Sequence, residues 1–170
     1  MSRMLENHAK LMHFFASSDE IVGRKKLQKI IYILKKCEVP FEERYQFHFY
    51  GPYSEELTLR IEELCNLGFI NETKEEKKNY YQYRYQLTDA GNEFLKHYQV
   101  ELPAMGERIT KMKEKSSRFL ELVSTMLYFE HLSREEVEEK VRTVKSKQNY
   151  TVDEINEAWG FIEEMRRTLH

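Results

Sequence analysis

Apolar residues recur at intervals of three and four along most of this chain, and alternate with polar ones in two short stretches. The first spacing gathers side chains on one face of an α-helix, the second on one face of a strand. Leu5, Ala9, Met12 and Phe15 predict a helix over residues 3–16, followed by a polar break from Ser17 to Glu20. Leu27, Ile30, Ile31 and Leu34 form the stripe of a second helix, and Arg24, Lys25, Lys29 and Lys36 fall largely outside it as a basic, solvated face. Pro40 ends this helix by biasing Val39 away from helical geometry. In RYQFHFY, Tyr45, Phe47 and Phe49 alternate with polar partners and predict a strand, with His48 on the opposite face.

Gly51 and Pro52 then read as a rigid turn, since glycine tolerates unusual backbone angles and proline presets one. Ser54 is placed to cap a third helix, and Glu55 and Glu56 fall in its first turn, where carboxylates complement the helix dipole. Leu57, Ile61 and Leu64 supply its buried stripe, and Gly68 ends it. Phe69 and Ile70 open a strand, Lys74 to Asn79 make a charged hairpin tip, and Tyr81, Tyr83, Tyr85 and Leu87 alternate along the return strand. Thr88 caps a further helix carrying Ala90, Phe94, Leu95 and Tyr98. Helix, helix, strand, helix, strand, charged hairpin, strand is the order of a winged helix-turn-helix.

Beyond Pro103 the pattern changes. Ile109, Met112, Ser116, Phe119, Val123 and Met126 recur at alternating gaps of three and four, a seam of heptad type. Ser133 with Glu136, and Thr151 with Glu154, form capping boxes opening helices that carry Val137, Val141 and Val144, then Ile155, Trp159, Ile162 and Leu169. The expected fold is mainly α with a small antiparallel sheet (α+β). A winged-helix-like recognition domain over residues 1–100 precedes a helical extension over residues 101–170. That extension is expected to hold three helices, which either pack on the front unit or build a homodimer through residues 103–169.

With 170 residues the chain can bury a core without staples, and no apolar run approaches the roughly 20 residues that span a bilayer. The reading is a soluble, cytoplasmic protein with no membrane partner. Cys37 and Cys65 stand alone in helical patterns and fit as small buried residues, kept reduced in a cytosol. The formal net charge of −2 is unevenly spread. Residues 1–40 hold eight Lys/Arg against four Asp/Glu, and residues 41–70 hold two against six.

The stretches GRKKLQKIIYILKK, FHFYGPYSEEL and LGFI together resemble the bacterial YwgA family. Lys26, Leu27, Gln28, Lys29, Gly51 and Pro52 also match, more distantly, the Lys-Leu-Gln-Lys helix and downstream Gly-Pro of the Panacea, or SocA-like, antitoxin domain. YQLTDAGNEFL, Tyr85 to Leu95, is similar to the strand-to-helix exit of winged-helix proteins. The likeness covers roughly residues 20–98 and implies a small cytoplasmic bacterial protein. The Panacea likeness further implies a protein partner, since such domains neutralise toxins by direct binding and one delivers its toxin to a protease. The YwgA likeness brings no activity, so no catalytic residue is carried over.

The residues give an enzyme little to work with. None of the six histidines stands in a zinc-type spacing, and there is neither a Gly-rich phosphate loop nor a Gly-x-Ser-x-Gly elbow. The expectation is a non-enzyme without metal or cofactor. For DNA, the helix after the turn would enter the major groove, yet it carries Glu55, Glu56, Glu62 and Glu63 against Arg60. Arg60 itself can pair with Glu56 or Glu63. Phosphate affinity comes from cations, so nucleic acid is disfavoured, and a dimeric winged-helix regulator is the alternative reading. Any backbone contact would fall to Arg24, Lys25, Lys26 and Lys29. Protein binding is the leading expectation, through Tyr50, Gly51, Pro52, Tyr53, Glu55, Glu56 and Arg60, because tyrosines give large contact area at low entropic cost.

Overall fold

The computed structural model describes residues 3–167, so Leu169, expected on the last stripe, and His170 lie outside the described residues. The protein is mainly helical with a small antiparallel sheet. Helix α1 (Arg3–Ser18) buries Ala9, Met12 and Phe15 as the spacing predicts, and Leu11 and Phe14 besides. Asp19 turns the chain with a positive φ of 66°, and the polar break resolves into a short strand, β1 (Glu20–Val22).

Helix α2 (Arg24–Lys36) is the spine of the molecule. Every residue from Leu27 to Leu34 is buried, so the expected basic face is covered at its middle and Lys29 lies inside. Two short strands follow, β2 (Gln46–His48) and β3 (Gly51–Tyr53), paired so that Phe47 faces Pro52 and His48 faces Gly51. Gly51 and Pro52, expected to form the turn, are therefore strand residues, and Phe49 and Tyr50 make the bend. The alternation predicted for Tyr45, Phe47 and Phe49 stops at His48, leaving Phe49 93% exposed at the tip.

Helix α3 (Glu55–Asn66) begins on Ser54, whose Oγ accepts from the Leu57 amide at 3.0 Å. It ends before Gly68, which takes a positive φ of 82°. Strands β4 (Ile70–Glu76) and β5 (Tyr81–Leu87) form a hairpin, and β1 pairs with the far edge of β5, giving the order β1-β5-β4. Helix α4 (Asp89–His97) is capped by Thr88, whose Oγ1 accepts from the Gly91 amide.

The expected three tail helices are four α-helices among the described residues: α5 (Gly106–Lys113), α6 (Ser117–Tyr128), α7 (Arg134–Val144) and α8 (Val152–Arg167). The heptad seam divides at Ser116, whose hydroxyl accepts from the Phe119 amide and starts α6 instead of extending α5. Both capping boxes form, Ser133 with Glu136 and Thr151 with Glu154. Helix α6 is buried from Phe119 to Leu127 and packs against α2, β3, α7 and α8. Phe119, Val123 and Met126 thus join the hydrophobic cluster that α1 and α2 build, instead of forming an outward seam.

Candidate functional site

The Lys-Leu-Gln-Lys segment of α2 grips the chain that enters α3. Gln28 closes on Ser54 from both sides: its Oε1 accepts from the Ser54 amide at 2.9 Å and its Nε2 donates to the Ser54 carbonyl at 2.9 Å. Nε2 also donates to Thr58 Oγ1 at 3.1 Å. At the next residue of the helix, Lys29 Nζ donates to the Pro52 carbonyl at 2.6 Å. With only 1% of its surface exposed, Lys29 is held to a pKa of about 7, chiefly by burial. Lys145 and Lys25 push the same way, and Glu121 opposes them. A buried lysine is held in the interior only with partners, and here β3 and α6 provide them.

The partner on α6 comes from the tail. Glu121 of α6 sits 3.4 Å from Lys25 Nζ and 3.3 Å from Lys145 Nζ. Lys145 also donates to the Phe49 carbonyl, fixing the exposed tip from below. Gly51 passes directly over this cluster with φ +79°, and a Cβ there would stand 3.1 Å from Thr125 Oγ1 and 3.6 Å from Lys29 Nζ. The glycine is required twice, by its backbone angle and by the close approach of α6.

Beside this cluster opens a cleft of about 410 Å³ between α2, α3 and the β4-β5 hairpin. Leu27, Leu57 and Ile61 floor it, and Tyr50, Tyr53 and Tyr85 wall it. At one end Lys25 Nζ lies 4.7 Å from the centre of the Tyr50 ring, and the Tyr53 hydroxyl is 2.9 Å from Thr58 Oγ1. At the other end Tyr85 meets both Glu72 and Arg24 through its hydroxyl, and burial, then Glu72, drives its pKa upward. Glu62 and Glu72 both raise the pKa of Cys65 beyond the effect of its burial, which places these two carboxylates in one neighbourhood.

The residues expected to act together do so only in part. Tyr50, Tyr53, Arg24, Lys25 and Lys29 line the cleft. Gly51 and Pro52 are buried beneath it, so they position the tip and offer no outward surface. Glu55 and Glu56 border a separate recess with Lys35, Arg44, Gln46 and His48. Arg60 pairs with neither Glu56 nor Glu63. Its Nε reaches Glu43 at 3.0 Å, while Glu56 accepts from the Arg44 amide and Glu63 meets His8. Burial raises the Glu43 pKa, against the pull of Arg60.

The four cations expected to meet a nucleic-acid backbone all have internal contacts. Arg24 stacks 3.6 Å from the centre of the Tyr83 ring, Lys25 takes Glu121, Lys26 donates to the Lys113 carbonyl that ends α5, and Lys29 is inside. Burial, then Lys113, lowers the Lys26 pKa. The tyrosines of β5 share one face of the strand and differ in burial along it: Tyr81 is exposed, Tyr83 lies under Arg24, and Tyr85 is buried. Among the described residues no group of three His, Cys, Asp or Glu is placed to hold a metal ion. No helix among them is long and apolar enough to cross a membrane.

The sequence pattern pointed to the cations and tyrosines, named Gln28 only within the Lys-Leu-Gln-Lys likeness, and gave no role to Thr58, Glu72 or the exposed Phe49. Gln28 carried a legible signal, a polar side chain beside the apolar stripe of α2, but its partners lie about 26 residues away in the chain. A protein of Bacillus subtilis (strain 168), "Uncharacterized protein YwgA", is 60% identical to this chain over 164 residues, covering 96% of this chain and 99% of its own length. No family model matches the chain.

Proposed function

This chain belongs to the YwgA family, and on that premise we propose that it is a non-enzymatic cytoplasmic module that binds another protein through the α2–α3 cleft and the Phe49–Tyr50 tip. The observation that carries this reading is the tip itself. Phe49 is 93% exposed and Tyr50 54% exposed on a bend held from beneath by Lys145 and Lys29. Exposed aromatics on a rigid support are what binding hot spots are made of, since little freedom remains to be lost on docking. The adjoining cleft extends the same surface with an apolar floor.

With the separate β2-β3 ribbon inserted between α2 and α3, the order α1-β1-α2-β2-β3-α3-β4-β5 and the sheet order β1-β5-β4 support a winged-helix reading of the front unit, α3 standing where a recognition helix would. Its chemistry argues against a duplex. Glu55, Glu62 and Glu63 are exposed on α3, and the nearest cations of α2 are already engaged. With Lys26 and Lys29 held by internal carbonyls, Arg24 and Lys25 are the two of the four that keep exposed surface, and two cations release few counterions to a phosphate backbone.

The test is affinity capture with the full chain from the host bacterium, then calorimetry of the recovered partner against wild type and a Phe49→Ala/Tyr50→Ala double variant. The variant should keep its thermal midpoint and lose at least roughly tenfold in affinity. Retention on duplex DNA that falls with salt and is abolished by Lys25→Glu, with partner binding indifferent to the tip, would overturn the proposal.

A further inference from the structure

The charges around the cleft are sorted by end, and the sorting specifies an occupant. The tip end presents Lys25, Tyr50 and the hydroxyls of Tyr53 and Thr58, and its one nearby carboxylate, Glu121, is buried between two lysines. The hairpin end presents two exposed carboxylates, Glu62 and Glu72, against one cation, Arg24, which stacks on Tyr83 and meets the Tyr85 hydroxyl beside Glu72. Leu57 and Ile61, one helical turn apart on α3, lie between the ends as an uncharged floor.

We propose that the cleft takes an extended peptide segment of the partner, in which an apolar side chain stands between an acidic and a basic residue. The apolar group packs against the rings of Tyr50 and Tyr53 above the buried Leu57 and Ile61, the acid faces Lys25 and the base faces Glu62 and Glu72. This rests on the protein-binding reading and narrows it. Phe49 favours a peptide over a small molecule. It stands just outside the cleft beside Tyr50, so an occupant confined to about 410 Å³ would leave it uncovered, whereas a chain leaving the cleft at the tip end passes over it. A polyanion fits poorly, because the hairpin end sets two carboxylates, Glu62 and Glu72, against the single cation Arg24.

Short fluorescent peptides, acetylated and amidated, test this on the full chain. Each carries a central leucine flanked by an aspartate and an arginine, by two aspartates, by two arginines, or by neutral residues, and binding is read by anisotropy. The mixed peptide should bind about fivefold more tightly than either like-charged one, the scale expected for exposed rim pairs. Glu62→Lys/Glu72→Lys should invert the order in favour of the two-aspartate peptide, and Glu62→Lys alone should move part of the way. Glu62 is exposed, so Glu62→Lys alone should leave the thermal midpoint unchanged, whereas Glu72 meets the Tyr85 hydroxyl and the midpoint of the double variant is measured alongside its binding. Affinity indifferent to peptide charge, an unaltered order in the charge-swapped variant, or displacement of the mixed peptide by short duplex DNA would each overturn the proposal. Partner binding that depends on Phe49 and Tyr50 but ignores Glu62 and Glu72 would sink this inference and leave the broader reading standing.

Discussion

Replacing Gln28 with methionine keeps the volume of the side chain and deletes its polar atoms. Three hydrogen bonds disappear, two to Ser54 and one to Thr58. The Ser54 carbonyl still accepts from the Thr58 amide at 3.3 Å, so it is not stranded. The Ser54 amide is the group left buried and unsatisfied, at a cost of about 1–3 kcal/mol. The two lost Nε2 bonds add about 0.5–1.5 kcal/mol each, and the apolar methionine recovers part of that total. The expected net loss is about 2–4 kcal/mol. With a urea m-value of about 2 kcal/mol/M, the midpoint should fall by roughly 1–2 M at constant m. A shift below about 0.3 M would refute the idea that Gln28 is the clamp joining α2 to α3, and would leave its burial without an account.

Gly51→Ala should destabilise by about 1–2 kcal/mol from its positive φ alone, and further because the new Cβ meets Thr125 at 3.1 Å. Gly68→Ala, with a similar φ and nothing within 4 Å, should show only the first effect; equal losses in chemical denaturation would contradict the close packing of α6 on β3. Lys29 has a folded pKa near 7 against 10.5 when free, so the unfolded chain binds more protons between those values. Stability from this group should therefore rise as pH climbs from about 7 toward 10.5, a slope that Lys29→Met should remove from a denaturation series across that range. Glu154 is held to a pKa of about 2, first by hydrogen bonds from Arg118 and then by the Thr151 amide, against 4.5 when free. Its contribution should be complete above about 4.5 and fade as pH falls through 2, and Glu154→Gln should erase that acid-limb difference in thermal midpoints.

Local chemistry was the legible part of this fold. Ser54, Thr88, Ser133 and Thr151 announce their caps because each acts within three residues of itself. Ser116 announced nothing, since it also fits the heptad spacing and so conceals the break between α5 and α6. Strand β1 is too short to show a period, and it exists because β5 offers an edge 64 residues later. Lys29 reads as a surface cation from its place on α2. It is buried because α6, far along the chain, covers that face with Glu121. Phe49 reads as an inward strand residue until the bend ends the alternation. The cleft inherits both difficulties: its tyrosines and cations were visible singly, and its floor, its acidic end and its exposed tip depend on how distant segments meet.

The bond from Lys145 to the Phe49 carbonyl joins residues 96 positions apart. On the ribosome, the hairpin bearing Phe49 emerges long before its anchor has been translated. A nascent chain stopped short of residue 145 displays that hairpin without the ammonium that holds it, and without the cluster beneath Gly51 complete. The aromatic tip is therefore fixed only late in translation, and a chain terminated earlier carries Phe49 and Tyr50 on an unanchored hairpin.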